Sequence, residues 1–151
     1  MRRMFWLLVL LSAGLIQNAR AESPTFSAFG GEAGLVRIMD DLMLTLLKDP
    51  RTEPFFRDTD QAHVKKMLVE QLCALLDGGC TYTGLNMQTA HEGMGVKREH
   101  FNALIENLQV AMDRNRVPFR AQNKLLAKLA PMHRDIVEKE LPAEEVLPDE
   151  I

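Results

Sequence analysis

The sequence predicts an all-α domain, and three observations carry the prediction. Apolar residues recur at offsets of three and four in four long stretches. No stretch alternates apolar and polar residues as a half-buried strand does. Breaks such as Gly30-Gly31, Asp49-Pro50, Gly78-Gly79 and Val117-Pro118 separate the stretches. With 151 residues the chain has room for one domain.

The first 21 residues are set apart. Arg2-Arg3 gives a positive start, Met4–Ile16 is an apolar run of 13 residues, and Ala19-Arg20-Ala21 ends in a small-x-small site. That layout fits a cleaved secretory signal, with an uncleaved anchor as the alternative, so the expected location is exported and periplasmic. A chain beginning at Glu22 keeps 15 basic and 21 acidic residues. Its acidity argues against a nucleic-acid partner or an anionic membrane surface.

Residues 22–28 read as a short arm before Phe29, and Gly30-Gly31 as a turn. Leu35, Ile38, Met39, Leu42, Met43 and Leu46 then mark one helical face. Asp49-Pro50 ends that helix, because the residue before proline is pushed from the helical region. Thr52–Phe56 is too short for a full helix and reads as a corner packed into the core. Val64, Leu68, Leu72, Leu75 and Leu76 stripe the next helix, with Thr59 or Asp60 as its cap and Asp77-Gly78-Gly79 as its stop. Phe101, Leu104, Ile105, Leu108 and Met112 stripe another. The last starts at Val117-Pro118, carries Leu125, Leu129, Met132 and Ile136, and should kink at Pro131. Residues 139–151 read as an acidic flexible tail.

A plain bundle does not account for the stretch from Asp77 to Val96. Long loops in compact domains usually serve a function. This one leads to His91, on a short apolar turn followed by Gly93 and Gly95. A neutral imidazole on a stiffly held segment can bind a metal or a haem iron. His63, His100 and His133 lack such a setting: His63 and His100 read as exposed, and His133 as core or surface. Cys73 and Cys80 form neither a CxxC nor a CxxCH motif, so thiol-redox and covalent haem readings lack support. Seven residues of helix would hold the two cysteines about 10.5 Å apart, too far for a disulfide. Gly78-Gly79 could fold the chain back and close that gap, so the bond stays open at this level.

From Phe29 to Val137 the chain resembles the group I truncated haemoglobins. The matching pieces are Gly30-Gly31-Glu32, Asp49-Pro50-Arg51 with Pro54-Phe55-Phe56, Gly78-Gly79, and Tyr82-Thr83-Gly84. Met87 with Ala90-His91-Glu92-Gly93, Gly95-Val96, His100-Phe101, Val117-Pro118 and Leu129-Ala130-Pro131 complete the set. The resemblance implies a two-over-two helical sandwich over 29–138 around haem b, with His91 as proximal iron ligand and Phe56 packed on the haem face. Met43, Val64, Leu68, Met87, Val96, Phe101 and Ile105 are the further cofactor contacts it implies, and the implied partners are a diatomic gas and a reductant.

The chain departs from the family pattern on the distal side. Met43 stands where the family places a tyrosine, and Val64 and Leu68 where it often has glutamines. Gln71 is the nearby polar candidate. Three functions follow for comparison: a gas-binding globin with an apolar distal pocket, a haem redox protein with Met43 or Met67 as a second ligand, and a globin fold that has lost haem.

Overall fold

A computed structural model describes residues 23–138. The segment 1–21 assigned to a signal and the tail 139–151 lie outside the described residues.

The described chain forms α1 (Pro24–Ala28), α2 (Gly31–Leu46), α3 (Glu53–Phe56), α4 (Gln61–Leu75), α5 (Met87–His91), α6 (Arg98–Arg114), α7 (Phe119–Leu129), a 3₁₀ turn (Ala130–Met132) and α8 (His133–Ile136). There is no strand among the described residues. The four long helices are those that the apolar stripes predict. The Asp60 carboxylate caps α4 by accepting from the His63 amide at 3.1 Å. Proline 131 breaks the last helix, converting it to one 3₁₀ turn before α8 resumes.

Helix α2 is the centre of packing. It lies against α4 on one side and α6 on the other, while α7 contacts both α4 and α6. Two helices thus face two. The core runs through Leu35, Ile38, Met39, Leu42 and Leu46 of α2 to Val69, Leu72, Cys73 and Leu76 around α4. It continues through Leu108, Ala111 and Met112 of α6 to Leu125 and Leu129 of α7.

The arm expected at 22–28 is instead largely helix. Ser23 caps α1 by accepting from the Phe26 amide, and its hydroxyl donates to the Leu76 carbonyl at the end of α4. This places Phe26 and Phe29 in the core at 2% and 3% exposure. The turn into α2 is tight: a Cβ on Gly34 would lie 1.8 Å from the Phe29 carbonyl oxygen. Only glycine permits that approach.

Cys73 and Cys80 are joined in a disulfide, with Cα atoms 5.7 Å apart. Asp77, Gly78 and Gly79 reverse the chain, and the Gly78 amide bonds back to the Cys73 carbonyl at 2.9 Å. The helical distance fails here because only Cys73 lies in the helix.

Candidate functional site

Helix α5 contributes no buried residue, so its role is not to fill the core. Asn86 caps it by accepting from the Thr89 amide at 2.9 Å. At its other end the His91 Nδ1 lies 2.8 Å from the Met87 carbonyl oxygen. A carbonyl can only accept, so in the neutral ring Nδ1 carries the proton and Nε2 keeps its lone pair. Nε2 has no hydrogen-bond partner among the described residues. An imidazole oriented through one nitrogen with the other bare is the arrangement of a metal-ligating histidine.

The long helices also carry apolar side chains that the core covers only in part. Helix α4 buries Val69, Leu72 and Cys73, and leaves Val64, Met67 and Leu68 half-buried toward its start. Helix α6 buries Ala103, Leu108, Ala111 and Met112, and leaves Phe101, Leu104 and Ile105 half-buried. Phe56 of α3 and Met87 of α5 are half-buried as well. Apolar side chains left at intermediate exposure at the margin of the core, with a bare imidazole on α5, fit a flat apolar cofactor, whose sites are mostly apolar with few polar groups. Val96 and Met43 are covered, at 7% and 5% exposure, yet stand apart from the continuous core.

The structure joins several of the sequence-predicted positions directly. Gln71 of α4 donates to the Met87 sulfur at 3.2 Å and lies 4.0 Å from the Met132 sulfur. The polar candidate of the distal helix is thereby turned toward α5. Phe101 meets the ring of His133 edge-on at 5.2 Å, which gives His133 a packing role. His63 is exposed, as expected. His100 corrects its expectation: it is half-buried, its Nδ1 accepts from the Lys97 amide at 3.1 Å, and its ring packs 4.8 Å from Phe55. The position at the start of α6 makes it a cap, which spacing alone did not reveal.

Polar contacts tie down the loops before and after α5. Glu70 of α4 accepts from both the hydroxyl and the amide of Thr83, at 2.7 and 3.1 Å. Those bonds hold its carboxyl below the usual range. Burial, reinforced by the nearby Glu70 charge, pushes the Tyr82 phenol up. After α5, the Glu138 carboxylate accepts from Gly95 at 2.7 Å, and the Glu138 amide donates to Val96. A wide cleft of about 1130 Å³ opens between Lys97, Arg98 and Asn102 of one segment and His133, Arg134 and Glu138 of another. Its charged rim holds none of the apolar positions above. The role of Met132 was not legible in advance; its stripe spacing is that of any core residue.

Fold and site together define a small globin: two helices facing two, with a histidine held by one ring nitrogen on a short helix outside their core. The comparisons agree. The family model for bacterial-like globins matches residues 24–138. A group 1 truncated haemoglobin of Tetrahymena pyriformis is 36% identical over 87 residues, 58% of this chain and 72% of that one. Another, from Mycolicibacterium paratuberculosis, is 28% identical over 111 residues, 74% of this chain and 82% of the relative. The crystal structure of the Tetrahymena pyriformis protein in its Fe(III) form aligns with a TM-score of 0.73 at 30% identity, covering 76% of this chain and 98% of that one. The fold is also that of a Synechococcus 2/2 haemoglobin, with a TM-score of 0.71 at 22% identity over 79% of this chain and all of the other. The chain belongs to the bacterial-like globin family, among the group 1 truncated haemoglobins.

Proposed function

We propose that this protein binds haem b through His91 and holds a diatomic gas in a distal pocket without a hydrogen-bond donor, in an exported compartment. The observation that carries the reading is the His91 imidazole, proton-fixed by the Met87 carbonyl at 2.8 Å with Nε2 bare. Bound haem would supply an iron able to take a diatomic molecule. The chain's own residues do the rest. The Met87 carbonyl holds the tautomer and the ring orientation. Phe56, Met87, Val96, Phe101 and Ile105 offer apolar surface that keeps water from the cofactor. Met43, Val64 and Leu68 offer no donor to the gas, and Gln71 is engaged with Met87. Keeping the iron ferrous would need a reductant supplied by a partner.

Export is supported by the disulfide, since such bonds persist in oxidising compartments, and by the arrangement of residues 1–21.

Absorption spectra of the protein reconstituted with haem test the assignment. The wild type should show a Soret band and a high-spin ferrous spectrum that shifts with carbon monoxide. His91→Ala should lose haem or hold it loosely, while His63→Ala, His100→Ala and His133→Ala retain it. Full haem retention by the His91 variant would refute the assignment. A low-spin ferrous spectrum without added ligand would replace gas binding by a two-ligand redox role, with Met43 or Met67 as the second ligand.

A further inference from the structure

The loop between α4 and α5 is fastened to α4 in three successive places. Cys80 is bonded covalently to Cys73. Thr83 gives two hydrogen bonds to Glu70. Met87, the first residue of α5, receives Gln71 on its sulfur. Positions 73, 70 and 71 of α4 therefore hold positions 80, 83 and 87 in turn. Two anchor points differ from the third in kind. Cys73 is fully buried on the core face of α4 and cannot move without the core. The bond passes that rigidity to Cys80, and the loop carries it toward the helix that presents His91. Helix α5 has no buried side chain with which to fix itself.

We infer that the Cys73–Cys80 disulfide is a positioning bond for His91, and that Glu70 supports it at Thr83. The same helix α4 carries Val64 and Leu68, so the bond ties the histidine to the helix across from it. Reduction undoes this in a defined way. A dithiol delivers two electrons and two protons, the S–S bond breaks, two thiols remain, and the dithiol becomes its own disulfide. The loop then keeps only its hydrogen bonds, and α5 gains freedom that the core does not share. For its effect on haem this inference rests on the assignment of His91; for its effect on α5 it does not.

The experiment compares the purified chain, free of haem and loaded, before and after reduction by dithiothreitol. Amide hydrogen exchange is followed in segments covering 86–92, α2 and α6. In the haem-free protein, exchange at 86–92 should accelerate about tenfold to a hundredfold, the range a cross-link closing so short a loop restricts, with α2 and α6 unchanged. Cys80→Ser should show the fast exchange without reductant and no further response to it. Glu70→Gln should accelerate the same segment to a lesser degree. In the loaded protein, reduction should speed haem transfer to an acceptor globin and shift the iron–histidine stretching band. Unchanged exchange at 86–92 on reduction overturns the inference. Acceleration spread equally over α2 and α6 overturns it too, because the bond then serves global stability alone. If haem fails to bind while the exchange behaves as stated, the haem assignment falls and the positioning of α5 stands.

Discussion

On the proposed reading of Met43 as a distal residue, replacing it with tyrosine should give the gas site a hydrogen-bond donor. Met43 is 5% exposed on α2, so a hydroxyl placed there leaves water and must find an acceptor. Gln71 is turned toward α5, with its amide nitrogen donating to the Met87 sulfur at 3.2 Å, and Val64 and Leu68 carry no acceptor. The gas itself is then the natural acceptor. Oxygen held at iron carries partial negative charge and gains from a donor; carbon monoxide gains far less. A hydrogen bond is worth about 0.5–1.5 kcal/mol net and up to about 3 kcal/mol to a charged partner. At about 1.4 kcal/mol per factor of ten, Met43→Tyr should slow oxygen release about tenfold to a hundredfold. Carbon monoxide release should change little. The larger ring also overpacks a covered site at a cost of about 1–3 kcal/mol, so denaturant unfolding must confirm a folded variant. Stopped-flow dissociation of both gases from both proteins gives the answer. Gln71→Leu serves as the control and should leave wild-type oxygen release nearly unaltered. Slow oxygen release by the wild type that Gln71→Leu accelerates would refute the reasoning, because Gln71 would then be the donor.

Three further outcomes follow from the geometry. Asp49 accepts from the Arg51 guanidinium at 2.8 and 3.1 Å, from the Arg51 amide at 3.0 Å and from Asn107 at 2.9 Å. The Arg51 bonds foremost hold its carboxyl well below the usual range of about 3.9. A depressed pKa stabilises above the unfolded value and loses that contribution as pH falls toward the folded one. Asp49→Asn should therefore be less stable than wild type at pH 7, with the gap narrowing below about pH 4 as measured by urea unfolding across pH. Gly34→Ala should cost about 3 kcal/mol or more, since its Cβ would meet the Phe29 carbonyl oxygen at 1.8 Å; a melting temperature unchanged from wild type would contradict that contact. Mass measurement of the protein from its native host should give an amino terminus at Glu22, and a full-length species in the membrane fraction would count against export.

Much of this fold was legible because period and punctuation agree. The α2 stripe from Leu35 to Leu46 ends at a proline signal, and Asp60 and Pro131 behave as their chemistry dictates. His91 stood out because a long glycine-bearing loop delivers it. What stayed hidden depends on contacts distant in sequence. Seven residues, 22–28, with two serines and a proline read as an arm; the burial of Phe26 against Gly78 and the core makes Pro24–Ala28 a helix. The disulfide needed a reversal at Asp77–Gly79 that spacing permits without requiring. Gln71 read as the nearby polar candidate because its position on α4 is visible in sequence, whereas its turn toward Met87 belongs to the tertiary structure.

A core that closes without α5 has a consequence for the order of assembly. Helices α1, α2, α4, α6 and α7 complete one continuous apolar interior, and no residue of Met87–His91 belongs to it. The chain can reach its native topology before any cofactor arrives. Entry would then call for a local displacement of α5 from the short α8 it packs on, an event costing less than global unfolding. Loading and folding would then be separate steps with separate barriers, so substitutions that raise the melting temperature through the core need not slow exchange of the cofactor.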